Sequence, residues 1–113
     1  MTHRYCFTLD LQDDSQLIAE YKRQHDRIWP EVAKSIRDVG IEDLEIYLLG
    51  TRMFMVMEVN EHFSLEAKAA ADRANPKVQE WEKLMWKFQK PLTQASPGEK
   101  WLLMDRIFSL RAQ

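Results

Sequence analysis

The sequence predicts an α+β sandwich, a four-stranded antiparallel sheet with helices on one face. Three observations predict it. Residues 4–11 and 101–110 alternate apolar and polar side chains, as half-buried strands do. Two apolar runs in the middle of the chain meet at Gly50-Thr51, a Gly-X pair suited to a type II′ hairpin. Between the strands, apolar residues recur every three or four positions, which is helical spacing.

In the first strand Tyr5, Phe7, Leu9 and Leu11 share one side, with Cys6, Thr8 and Asp10 on the other. Asp13, Asp14 and Ser15 then offer an N-cap, and Gln16, three residues after Asp13, can close a capping box. Leu17, Ile18, Tyr21, His25, Ile28, Trp29, Val32 and Ile36 form the apolar stripe of the helix that follows. Pro30 lacks an N–H and clashes with the carbonyl four residues earlier, so a kink or restart is expected over residues 26–29. Gly40 stands where a left-handed residue would stop the helix.

The hairpin joins residues 44–49 to residues 52–59, with Met53, Met55, Met57 and Val59 on one face and Phe54, Val56 and Glu58 on the other. Ser64 can cap a short Ala-rich helix to about residue 73. Asn75-Pro76 reads as N-cap and first turn of a further helix to about residue 90. Residues 91–100, with two Pro and one Gly, read as a loop before the last strand. The order strand, helix, strand, strand, helix pair, strand matches the split βαβ of the ferredoxin-like sandwich, in one domain over residues 1–113. Such a sheet leaves one face bare, and here that face carries large apolar side chains, so a homodimer packed sheet to sheet is expected.

Composition excludes several functions. Sixteen Lys plus Arg against 18 Asp plus Glu leave a net charge of −2, without the basic excess that phosphate-backbone binding requires, so no nucleic-acid partner is expected. One Cys forms no internal disulfide, and the first twenty residues, with Arg4, Asp10, Asp13 and Asp14, contain no signal-peptide core; a cytoplasmic protein is expected. No apolar run approaches the roughly 18 to 20 residues of a membrane span, so no membrane partner is expected either. His3, His25 and His62 fall in different elements with no HxH, HxxxH or CxxC, so no metal is expected. Three Gly and no GxGxxG or P-loop argue against a nucleotide, and no cofactor is expected. Cys6 lacks an evident base and reads as a small core side chain.

Tyr21 and His25 lie one helical turn apart, which puts their Cβ atoms about 5 to 6 Å from each other on the apolar face. A satisfied core histidine beside an amphipathic tyrosine fits that spacing. So does a proton-handling pair, since an imidazole with a pKa of about 6.5 gives and takes protons at neutral pH. Trp29, Trp81, Trp86 and Trp101 are either core residues or the flat platform a sugar's C–H face needs.

Taken together, Glu20-Tyr21-Lys22-Arg23-Gln24-His25-Asp26-Arg27-Ile28-Trp29-Pro30-Glu31, then Gly40 and Ile46-Tyr47-Leu48, resemble the L-rhamnose mutarotase family over most of the chain. The resemblance implies a ferredoxin-like dimer that interconverts the α and β pyranose anomers of a 6-deoxy-L-sugar without metal or cofactor. It implies His25 as proton donor, Tyr21 as a catalytic and substrate-binding partner, and Trp81 as the first residue of a Trp-Trp pair that holds the sugar. Two positions depart from the pattern: Leu44 stands where the family has a tyrosine, and Glu82 where it has the second tryptophan. Both departures would fall in the sugar pocket, which favours L-fucose, with L-rhamnose next. Glu82 becomes a candidate substrate contact, and Tyr47 a replacement for the missing tyrosine, although strand alternation points it to the opposite face. Two other readings share the architecture. One is a haem-degrading or cofactor-free oxygenase of the dimeric ferredoxin-like class; the other is a non-catalytic small-ligand-binding dimer.

Overall fold

A computed structural model describes residues 3–113. The first strand, β1 (His3–Leu11), leads to α1 (Ser15–Asp26). The cap of α1 is Asp14, whose carboxylate accepts from the amides of Gln16 and Leu17. The capping box expected from Asp13 and Gln16 does not form, because Asp14 already satisfies the first free amides.

At Pro30 the helix breaks completely. It ends at Asp26, Arg27 and Trp29 are extended, and α2 (Pro30–Asp38) restarts with proline in its first turn. A residue before proline is driven out of the helical region, while proline's fixed φ suits the first helical position, so restart prevails over kink. Gly40 closes this segment at φ +98°. The chain then enters β2 (Ile41–Leu49), three residues earlier than the apolar run implies, and returns through β3 (Arg52–Val59). Gly50 has φ +61° and Thr51 a negative φ, as a II′ turn requires.

Ser64 caps α3 (Leu65–Ala74), and Asn75 caps α4 (Pro76–Trp86) by accepting from the amides of Lys77 and Val78. Here the sequence reading needs correction. The last helix stops at Trp86 instead of about residue 90, and Gln89–Lys90 form a short strand, β4, antiparallel to β1 at Asp10 and Leu11. Phe88, almost fully buried, pulls the chain back under the sheet edge. The strand expected over residues 101–110 shrinks to β5 (Leu102–Leu103), which pairs with β1 at Phe7 and Thr8. Beyond it the side chains are largely exposed, and the chain ends in a 3-10 turn at Leu110–Ala112.

The sheet order is β2-β3-β1-β4, with β5 sharing the β4 edge of β1, and every pairing is antiparallel. This is the ferredoxin-like arrangement, its fourth strand position filled by two short segments. On the helix side Leu9, Leu11 and Met53 pack with Tyr21, Val32, Trp81, Met85 and Phe88. Ile41, Met57 and Val59 form a second cluster at the opposite end of the strands. Among the described residues no helix is long and apolar enough to cross a membrane.

The other sheet face has its own pattern. Arg4 pairs with Glu58 at one end of the β1–β3 ribbon, and Arg52 pairs with Asp10 at the other. Between these pairs lie Cys6 opposite Val56 and Thr8 opposite Phe54. Cys6 is therefore half-buried on the outer face, not in the helix-side core, because odd and even positions of β1 face opposite ways.

Candidate active site

The apolar stripe of α1 points Tyr21 and His25 at the sheet, one turn apart. Their rings lie 4.3 Å apart, tilted by 34°. His25 Nδ1 is 2.8 Å from the main-chain oxygen of Tyr21. A carbonyl only accepts, so Nδ1 carries the proton and donates; neutral His25 therefore has an unprotonated Nε2. Among the described residues nothing hydrogen-bonds that nitrogen. Burial pushes the His25 pKa below 6.5, more than the bond to the Tyr21 carbonyl raises it. At neutral pH the group is a neutral imidazole with a free basic nitrogen.

Trp81, on the inner face of α4, meets His25 edge to face at 5.5 Å and is itself backed by Trp29 at 5.3 Å. Phe88 packs on Tyr21 in a T-shaped contact at 5.8 Å. Tyr21 is thus buried, and burial raises its pKa, so the phenol stays protonated. Its oxygen accepts a hydrogen bond from Gln89 Nε2 at 3.2 Å.

These groups open on a cleft of about 1100 Å³ between the helices and the sheet. Tyr21, His25, Trp81, Glu82, Gln89 and Lys100 all line it. The volume lies just above the usual range for small-molecule sites, about 300–1,000 Å³, so a monosaccharide fills only part of it. Lys100 lies over the Trp86 ring and donates to the main-chain carbonyl of Glu82 at 2.7 Å; burial lowers its pKa. Glu82, one residue beyond Trp81, is half-buried at the cleft wall. Among the described residues no group of His, Cys, Asp and Glu could hold a metal ion.

The structure thus brings together Tyr21, His25, Trp81 and Glu82. It does not bring Tyr47 to them: Tyr47 points from the outer face of β2, more than half exposed, and donates to Glu45 at 3.1 Å. The expectation of a replacement contact is corrected by the strand alternation that argued against it. Leu44 does line the cleft. Of the other tryptophans, Trp101 lines it, Trp29 stands behind Trp81, and Trp86 is held under Lys100. Gln89 and Lys100 escape a sequence reading. Gln89 looks like the tail of a helix, and the only signal against that is a lone amide between Phe88 and Leu92, both buried.

Comparison with known proteins bears on the family and the fold. A family model described as L-rhamnose mutarotase matches residues 4–110. An L-fucose mutarotase of Xanthomonas campestris pv. campestris is 50% identical over 109 residues, covering 95% of this chain and 87% of that protein. The crystal structure of an L-rhamnose mutarotase from Formosa agariphila superposes with a TM-score of 0.69 at 18% identity, covering 96% and 98% of the two chains. A type II polyketide cyclase from Streptomyces glaucescens, tetracenomycin F2 cyclase, gives 0.62 at 14% identity, covering 95% of each. At these identities the two solved structures speak for the fold alone.

Proposed function

The chain belongs to the L-rhamnose mutarotase family, and from that premise we propose that it interconverts the α and β pyranose anomers of a 6-deoxy-L-hexose, L-fucose before L-rhamnose. The observation that carries this reading is the free Nε2 of His25 in a half-buried pocket walled by Trp81 and Tyr21. The substrate preference rests on the 50% identical relative named L-fucose mutarotase and on Leu44 and Glu82 at the cleft.

Ring opening moves one proton from the anomeric hydroxyl to the ring oxygen while the C1–O5 bond breaks and O1 becomes an aldehyde oxygen. Neutral His25 takes the O1 proton on Nε2 and, as imidazolium, returns it to O5. Both oxygens are bonded to C1, so one imidazole reaches both. Rotation about C1–C2 and the reverse transfer close the ring as the other anomer. His25 is thus base and then acid, and its lowered pKa keeps the base form ready at neutral pH. Tyr21 donates its phenolic proton to the sugar, Trp81 covers an apolar C–H face, and Glu82 binds a hydroxyl. Open-chain exchange already occurs in water, so one positioned acid–base group, contributing about 10² to 10⁴-fold, suffices.

The outer sheet face supports a homodimer. Each of two cross-strand ion pairs balances its own charge at the ends of the β1–β3 ribbon, and Thr8 Oγ1 donates to the Met53 carbonyl, so the side chains of Cys6, Val56 and Phe54 present little unsatisfied polarity. Exposed Leu49 and Tyr47 extend this patch along β2. Glu45, which accepts from the Tyr47 hydroxyl, stands on the same face opposite Val56, and the apolar remainder of the patch matches a second copy of itself about a two-fold axis.

NMR saturation transfer between anomers tests the function on L-fucose, L-rhamnose, D-galactose and D-ribose. Exchange is expected to accelerate most for L-fucose and next for L-rhamnose. No acceleration for any of the four sinks the reading.

A further inference from the structure

The mechanism above leaves one buried group without a role. Gln89 is 3% exposed and lines the cleft, yet its side-chain oxygen has no hydrogen-bond partner among the described residues. An unpaired buried amide oxygen is costly because it has given up its water without gaining a partner, so a position that keeps one needs a reason. The rest of the residue is firmly held. Its backbone pairs with Leu11, its carbonyl accepts from Gln12 Nε2 at 3.1 Å, and its own Nε2 donates to the Tyr21 hydroxyl at 3.2 Å.

That last bond has a direction. Because Tyr21 Oη accepts from Gln89, the phenolic proton is left to be donated elsewhere, and the cleft is what Tyr21 faces. The two residues therefore present one donor and one acceptor side by side, since Oε1 and Nε2 belong to the same amide. A sugar hydroxyl is the complementary group: it accepts with its oxygen and donates with its proton. We propose that Tyr21 and Gln89 act as one joined pair that reads a single ring hydroxyl of the substrate, Tyr21 Oη donating to it and Gln89 Oε1 accepting from it. Gln89 is thereby a substrate-binding residue and also the residue that orients the Tyr21 hydroxyl. The pairing rests on the sugar-anomer reading above, and it deepens that reading by adding a specificity determinant.

The pair discriminates by geometry. A hydroxyl of the other configuration at that carbon leaves both Gln89 Oε1 and the Tyr21 proton unpaired in a buried site, which is how a polar pocket rejects a near-isostere. Apolar walls such as Trp81 cannot make that distinction.

The test uses wild type, Gln89→Met and Gln89→Glu, with L-fucose and its single-deoxy analogues, read by tryptophan fluorescence for affinity and by saturation transfer for rate. Wild type is expected to bind one analogue about a hundredfold more weakly than L-fucose, the size of two hydrogen bonds at about 1.4 kcal/mol each. Gln89→Met is expected to raise KM for L-fucose about tenfold with kcat within threefold, and to lose nothing further on that one analogue. Gln89→Glu keeps an acceptor but loses the donor to Tyr21 Oη, so its carboxylate draws the phenolic proton away from the sugar and L-fucose is expected to stay as weakly bound as in Gln89→Met. The pairing is overturned if an active Gln89→Met enzyme keeps wild-type KM, or if it weakens equally toward all analogues, as a merely structural role would. Should Gln89→Met fail to fold, a wild type that binds every analogue as well as L-fucose overturns it. A wild type that speeds no anomer exchange takes the functional reading down as well, whereas an unchanged variant in an active enzyme takes down only the pairing.

Discussion

The imidazole of His25 is hydrogen-bonded through Nδ1 to the main-chain oxygen of Tyr21, 2.8 Å away and one turn earlier on the same helix. A helical backbone thus sets the tautomer with no carboxylate partner, and it leaves Nε2 as the nitrogen available to a ligand. Removing the ring removes the proton carrier and leaves the helix, since alanine is a good helix former. His25→Ala is expected to lower the enzyme's acceleration of L-fucose anomer exchange by about 10² to 10⁴-fold while far-ultraviolet circular dichroism stays at wild type. Unchanged exchange in that variant would refute the assignment.

Burial depresses the pKa of His25, and this gives pH predictions for both rate and stability. The base form is lost only below the lowered pKa, so the acid limb of kcat/KM is expected to have its midpoint below pH 6.5. For stability, the unfolded chain binds a proton at about pH 6.5 and the folded one only at lower pH. The contribution of neutral His25 is therefore full above about pH 6.5 and declines as pH falls through the folded pKa. Thermal unfolding from pH 8 to pH 5 should show Tm falling below pH 6.5, with a shallower fall in His25→Ala. An acid limb centred above pH 6.5 would contradict the burial account.

The parts of this molecule legible in its sequence are those fixed by local chemistry. Asn75-Pro76 starts α4, Gly50 turns the hairpin, and the alternation of β3 separates Met53 and Met57 from Phe54, because each signal is contained within a few residues. The edge of the sheet was not legible. Gln89–Lys90 become a strand only because Phe88 is buried and β1 offers free edge groups at Asp10 and Leu11, which is tertiary information. The same fact hid Gln89 from the site, since a helical tail would have carried it elsewhere. Tyr21, His25 and Trp81 were legible as a set through the family resemblance, whereas spacing alone left them between core and catalysis.

Glu82 sits one residue beyond Trp81 at the cleft wall, and Lys100 contacts its backbone carbonyl at 2.7 Å. A carboxylate that binds a hydroxyl contributes mainly to affinity, whereas one that moves the reacting proton contributes to turnover. Glu82→Gln is expected to raise KM for L-fucose about tenfold, near the size of a charge-assisted hydrogen bond, with kcat within threefold. A kcat loss beyond a hundredfold at unchanged KM would make Glu82 a proton carrier instead.

Gly40 links α2 to β2 at φ +98°, and a Cβ there would lie 2.5 Å from Asn60 Oδ1. That oxygen already accepts from the His62 amide, so it cannot move away freely. Gly40→Ala combines a left-handed backbone with this clash and is expected to destabilise the fold by about 2–3 kcal/mol, read from urea unfolding. A change below about 0.5 kcal/mol would mean that the turn relaxes.

The outer sheet face gives the last prediction. Val56 and Phe54 lie between the Arg4–Glu58 and Arg52–Asp10 pairs, and Val56 faces Glu45 of β2 across the strands, so a carboxylate at Val56 adds negative charge where no cation stands opposite it. In a two-fold dimer a substitution near the axis faces its own copy, and two buried like charges would oppose association strongly. Val56→Glu is expected to sediment as a monomer where wild type sediments as a dimer. Val56 lies on the sheet face opposite the Tyr21–His25 cleft and lines none of it, so anomer exchange per chain should stay within about twofold. If the variant keeps the wild-type sedimentation coefficient, the copies do not meet through this face. If exchange collapses as the dimer dissociates, the cleft depends on the second copy for its shape, although every residue assigned to it here belongs to one chain.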